Sequence, residues 1–126
     1  MTVILPSCDP RAFGPGLWQS LHVLAANYPE CASESTRRQC RRFLTALAHM
    51  LPCEECGRHF RAYLRSVDLR RAVKGRRNLV RLLVDAHNDV TSHTQPERAP
   101  FSIQDAARLY AHAECSLPLA HVWGED

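Results

Sequence analysis

The chain has 126 residues, room for one compact domain and not for a two-domain enzyme. Hydrophobic residues make up 45% and charged ones 23%, ordinary globular usage that excludes a low-complexity or disorder-prone chain. Sixteen Lys and Arg against thirteen Asp and Glu leave a formal charge of +3, an excess too mild to announce a nucleic-acid binder.

In chain order, Met1-Thr2-Val3-Ile4-Leu5-Pro6 has no basic stretch ahead of a long apolar run and is not expected to be a secretory signal. The apolar periodicity predicts a first helix from Pro15 to about Asn27, with Trp18, Leu21, His22 and Ala25 on one face and Tyr28-Pro29 ending it. A second is expected over Glu34–Met50, where Cys40, Phe43, Leu44, Leu47 and Met50 form a stripe opposite Arg37, Arg38, Arg41 and Arg42. Those arginines read as a solvated helix face rather than a nucleic-acid or membrane patch.

Leu51-Pro52 breaks the pattern, and a third helix is expected from Cys53, carrying Cys56, Phe60 and Leu64 at four-residue intervals. A basic loop around Lys74-Gly75-Arg76 leads to a fourth helix from about Asn78 to His93, with Leu79, Leu82, Leu83, Ala86, His87 and Val90 inward. A short fifth follows Ser102, whose spacing to Asp105 suits a capping box, with Ala106, Leu109, Tyr110 and Ala113 as a weak apolar face. The apolar runs, such as residues 79–84, are short and interrupted by arginine, so no membrane-spanning stretch of about 20 residues is expected. The pattern is all-α: one domain over residues 1–126, an antiparallel four-helix bundle with a short fifth helix on one end. Such a bundle can hold a cofactor between facing helices, and the strand and glycine-rich turn of a dinucleotide-binding unit are missing.

Six cysteines, at positions 8, 31, 40, 53, 56 and 115, are many for a short chain without an export signal, and raise redox or metal chemistry. Cys53-Glu54-Glu55-Cys56 places two of them at a helix start just after proline, where free amides and the helix dipole favour a thiolate over a thiol. The same spacing serves a static disulfide or half of a zinc site, with Cys53, Cys56 and His59 as ligands and a distant fourth. A second closely spaced Cys or His pair, usual in structural zinc sites, is not evident, and neither is the βαβ pattern of a thioredoxin-like unit. Glu54 and Glu55 point in different directions on a helix and do not form an acid/base pair. Spacing alone leaves the redox and zinc readings both open.

The combination of motifs narrows them. Phe13-Gly14-Pro15, then Trp18, Leu21-His22 and Tyr28-Pro29, then Leu51-Pro52-Cys53 with Cys56 and His59-Phe60, then His87-Asn88 and Val90 resembles, in order and spacing, the Erv/ALR family of FAD-dependent sulfhydryl oxidases, above all its small viral members. The likeness covers about residues 8 to 102. It implies an all-α fold with FAD between helices, and an enzyme that oxidises protein dithiols, or a redox shuttle, through the Cys53/Cys56 pair and passes electrons to O2, giving H2O2. Cys53 is then the sulfur that substrate attacks and Cys56 the one facing FAD. The resemblance further implies flavin contacts from Gly14, Trp18, His22, Glu55 and His59, and a site for the adenosine part at His87, Asn88 and Val90. Without it, Trp18 and His22 read as well as plain core residues.

Departures from the family pattern are visible. Thr91 stands where an asparagine is usual, and the later basic position falls near Pro96, so that Arg98 is the candidate phosphate contact and Phe101 the later aromatic. Gly14-Pro15 occupies the place of an arginine near the first-helix Trp in many cellular members. Cys8 and Cys115 sit where relatives form additional or intersubunit disulfides, with free thiols as the alternative; Cys31 is a candidate for pairing or shuttling, and Cys40 reads as a small buried hydrophobe. The resemblance also implies a homodimer packed through the first two helices, and from charge, hydropathy and ligand spacing no nucleic-acid partner, membrane or metal is expected. It implies the infected-cell cytoplasm or virion for a viral member, and the mitochondrial intermembrane space or the secretory pathway for a cellular one. The competing reading is a zinc- or disulfide-stapled helical module that binds a protein partner without catalysis.

Overall fold

A computed structural model describes residues 6–109, and among them every regular element is helical: α1 (Pro10–Ala26), α2 (Glu34–Met50), α3 (Glu54–Ser66), α4 (Leu69–Ala72), α5 (Arg76–Thr94) and α6 (Ile103–Leu109). The predicted helices are all present, with differences at their ends. α1 starts at Pro10, five residues before the expected Pro15, because Asp9 caps it: its carboxylate accepts from the Arg11 amide at 2.8 Å, with Pro10 in the first turn. Pro15 is carried inside the helix; it is exposed, and water can reach the carbonyl that its missing N–H leaves unbonded.

α2 is capped by Ser33, whose hydroxyl accepts from the Thr36 amide at 3.2 Å, and stops at Leu51, which the following proline holds extended. Its buried stripe is Cys40, Leu44 and Ala48, narrower than expected: Phe43 and Met50 are 42% and 78% exposed. α3 buries Cys56, Phe60 and Leu64 as its spacing predicts, plus Gly57. α4 has no counterpart among the predicted helices: four residues are too few to show a helical period, and the Asp68 carboxylate caps it by accepting from the Arg71 amide at 3.1 Å. α5 begins two residues before the expected Asn78 and buries Leu79, Leu82, Leu83, Ala86 and Val90 as read, plus Val84. The capping box of α6 forms: the Asp105 amide donates to Ser102 Oγ at 2.9 Å and the Ser102 amide to Asp105 Oδ2 at 3.2 Å. Tyr110, Ala113 and Cys115 lie outside the described residues.

α5 is the central element, packed on α1, α3, α4 and α6, while α2 closes on α3. Phe60, Leu44, Leu79, Leu83, Val73 and Val84 are fully buried, each removing apolar surface worth about 1.5–3 kcal/mol. At the α1–α2 turn the chain lies on the start of α5. Tyr28 Oη donates to the Val73 carbonyl at 2.7 Å, Arg76 Nε to the Tyr28 carbonyl at 2.6 Å and the Arg76 amide to the Pro29 carbonyl at 2.9 Å. A side chain at Gly75 would run into the Glu30 carbonyl, so this close approach requires glycine.

Candidate active site

Cys53 is the N-cap of α3 and Cys56 lies in its first turn, and the two are joined by a disulfide. The backbone N–H of Cys56 donates to Cys53 Sγ at 3.2 Å, so the cap position aims an amide and the helix dipole at this sulfur. Cys53 is half-buried and Cys56 only 3% exposed, which divides the pair into a sulfur that solvent reaches and one that faces inward. The S–S bond disfavours the zinc reading, since a tetrahedral site takes free thiolates. Cys8 and Cys31 are exposed free thiols and Cys40 a buried one, whose pKa burial raises.

Cys56 opens onto a cavity of about 640 Å³ walled by α1, the end of α2, α3, α5 and the segment after α5. That lies within the roughly 300–1,000 Å³ range of cofactor pockets. Trp18, Phe60, His87 and Phe101 give it aromatic walls. Trp18 stacks on His87 with centroids 4.3 Å apart and planes within 6°, and meets Phe60 edge-on at 6.2 Å. His22, 4% exposed, and His87 share a hydrogen bond, Nε2 to Nδ1 at 3.0 Å. Burial pushes both imidazoles down from 6.5 to about 4, His87 helped by the neighbouring His22 and the Arg98 charge. At neutral pH both are uncharged, and the bond requires one ring as donor and the other as acceptor.

Of the residues singled out in the sequence, Gly14, Trp18, His22, Cys56, His87, Val90, Thr91, Arg98 and Phe101 line this cavity. Gly14 is buried, yet a Cβ built on it meets no atom within 4 Å, because it faces the open space. Arg98 makes no ion pair among the described residues.

Three other residues singled out in the sequence, Glu55, His59 and Asn88, are not in its lining. Glu55 is exposed, turned about 100° round the helix from Cys56. His59 packs on His93 with ring centroids 4.1 Å apart, and its buried Nδ1 has no hydrogen-bond partner. Asn88 is turned to the chain after α5: its Nδ2 donates to the Phe101 carbonyl at 2.6 Å and its Oδ1 accepts from the Phe101 amide at 2.7 Å. Sequence reasoning in turn missed Phe60, Thr94 and Leu51 as cavity residues. Phe60 follows Cys56 by four positions, and Thr94 follows Thr91 by three, so helical spacing already put each on the right face.

Among the described residues no group of three or more His, Cys, Asp or Glu side chains is placed to hold a metal ion, and no helix is long and apolar enough to cross a membrane. Residues 15–112 match the model of the Erv1 / Alr family. The chain is 35% identical over 104 residues to the putative FAD-linked sulfhydryl oxidase 096R of Invertebrate iridescent virus 3, covering 82% of this chain and 70% of the viral protein. It is 32% identical over 82 residues to the mitochondrial FAD-linked sulfhydryl oxidase ERV1 of Saccharomyces cerevisiae, covering 65% of this chain and 42% of the yeast protein. The crystal structure of the FAD binding domain of Erv1 from Saccharomyces cerevisiae superposes with a TM-score of 0.75 at 25% identity, over 85% of this chain and 98% of that one. With the family model matching most of the sequence, and the helical fold shared with that domain, the chain belongs to the Erv1 / Alr family.

Proposed function

We propose that this chain is an FAD-dependent thiol oxidase that converts protein dithiols to disulfides and delivers the electrons to O2 as H2O2. One observation carries the reading: a helix-start disulfide with one sulfur toward solvent and the other in the lining of a large aromatic cavity. The donor set suits FAD. The space beyond Gly14 and the flat faces of Trp18, His87 and Phe101 fit a planar ring, and Arg98 brings a positive charge for phosphate.

A substrate thiolate attacks Cys53 Sγ, the sulfur that solvent reaches; the S–S bond breaks and Cys56 leaves as a thiolate. The second substrate thiol, once deprotonated, attacks the substrate sulfur of this mixed disulfide, releasing Cys53 as a thiolate and the substrate as a disulfide. Two electrons thus pass from substrate to the Cys53/Cys56 pair and the two thiol protons go to solvent. The Cys56 N–H on Cys53 Sγ and the amides of the first turn of α3 stabilise the negative charge there. FAD, when bound, supplies the two-electron acceptor for the reduced pair and the route to oxygen. Gly14, Trp18, His22, His87, Val90, Thr91, Arg98 and Phe101 would hold it, with the neutral His22–His87 pair offering polar contacts without charge.

The same reading makes the chain a homodimer through α1 and α2, where Leu24 and Phe43 leave 44% and 42% of their surface exposed. It goes with the viral relatives, whose match covers more of the chain than the mitochondrial one, and so with the infected-cell cytoplasm or virion. The test is an absorbance spectrum of the purified protein before and after anaerobic addition of a dithiol. A flavin band that bleaches and returns with air is expected; a colourless protein that does not take up added FAD overturns the proposal.

A further inference from the structure

We infer that Asn88 is a positioning residue, a latch that holds Phe101 against the cavity and thereby sets how fast FAD leaves; this rests on the flavin reading above. The side-chain amide of Asn88 binds both backbone polar groups of Phe101, at 2.6 and 2.7 Å, and bridges from the middle of α5 to a residue thirteen positions on. It thereby supplies the pairing that an extended backbone would find in a neighbouring strand.

Among the described residues the segment between α5 and α6 has few other ties. It is fixed at one end by the turn in which the Arg98 amide donates to the Gln95 carbonyl at 3.0 Å, and at the other by the Ser102–Asp105 capping box. Between these, Ala99 and Pro100 are exposed. Yet this stretch contributes Gln95, Arg98 and Phe101 to the cavity wall, and the Phe101 ring lies 5.4 Å from that of His22 and 6.0 Å from that of His87. Asn88 itself is outside the lining, so it acts on the cavity through Phe101.

The experiment measures FAD release from the holoprotein by flavin fluorescence, and exchange of the Phe101 amide proton, in wild type, Asn88→Ala, Phe101→Ala and the double variant. Asn88→Ala is expected to speed FAD release about tenfold, the scale of two such hydrogen bonds. It should also expose the Phe101 amide to exchange, with or without FAD. Because the latch works through the Phe101 ring, Phe101→Ala should speed release too, and adding Asn88→Ala to it should change little further. Unchanged release in Asn88→Ala, or additive effects in the double variant, overturns the latch. Wild type that binds no FAD while its Phe101 amide stays protected overturns the flavin reading and the role in retention together. Asn88→Asp, which keeps the acceptor and loses the donor, should fall between wild type and Asn88→Ala; it supplies the same measurement should Asn88→Ala not fold.

Discussion

The two stretches of α1 solve opposite problems with similar residues. Near its C-terminal end, Tyr28 and the following turn are sealed onto the start of α5 by Tyr28–Val73, Arg76–Tyr28 and Arg76–Pro29 hydrogen bonds, and no Cβ fits at Gly75. From Gly14 through Trp18 to His22 the helix faces a cavity, and a Cβ at Gly14 meets nothing. The glycines mark the contrast: one is required because backbone is too near, the other leaves room for something the chain does not itself provide. Buried polar groups are satisfied within the protein at the sealed end, whereas the open stretch keeps two uncharged imidazoles in the wall of a space of about 640 Å³.

The contrast is broken most severely at the disulfide. Cys53→Ser or Cys56→Ser should reduce dithiol-dependent oxygen consumption to background while the flavin stays bound; turnover in either variant, measured with an oxygen electrode, would refute the dithiol route. Phe60→Ala should come next, because this ring belongs to both the core and the cavity wall; a loss of about 3–5 kcal/mol in chemical denaturation is expected.

Gly14→Leu should separate the two ends more finely. It fills the open space and should weaken FAD affinity by about tenfold or more, as a fluorescence titration would report. The FAD-free protein should be as stable as wild type or up to about 1 kcal/mol more stable, since glycine is a poor helix residue. At the sealed end, Tyr28→Phe leaves the Val73 carbonyl without its donor and should cost about 1–2 kcal/mol with FAD affinity unchanged.

Acid should act on the open stretch. His22 and His87 titrate near 4 in the folded chain and near 6.5 when unfolded, so between these pH values the unfolded state binds protons the native state does not. Stability of the FAD-free protein is therefore full above about pH 6.5 and declines as pH falls toward 4. Replacing His87 with Phe should flatten part of that decline in a series of melting curves; an unchanged slope would remove His87 from the buried pair.

Much of this was legible in the residues. Cys53 through Leu64 announced a helix with one buried face, and Ser102 with Asp105 announced the cap of α6, because both signals are local. Pro15 misled because the Asp9 cap lies upstream of a proline that reads as a start; Phe43 and Met50 misled because apolar character alone does not say which edge of a stripe meets a neighbour. Glu55, His59 and Asn88 carry family positions but are not in the cavity lining: Glu55 is exposed, His59 packs on His93 and Asn88 binds the Phe101 backbone.

The sequence by itself determined the helices, the placing of a cysteine pair at a helix start and the family to which the pattern belongs, since periodicity, caps and motif spacing act over a few residues. Only the tertiary structure decided that His22 meets His87 across 65 positions, that the Trp18 ring stacks on His87, and that Asn88 grips the Phe101 backbone. Those facts depend on how helices rotate and approach when they bury their faces together, and no local spacing encodes that rotation.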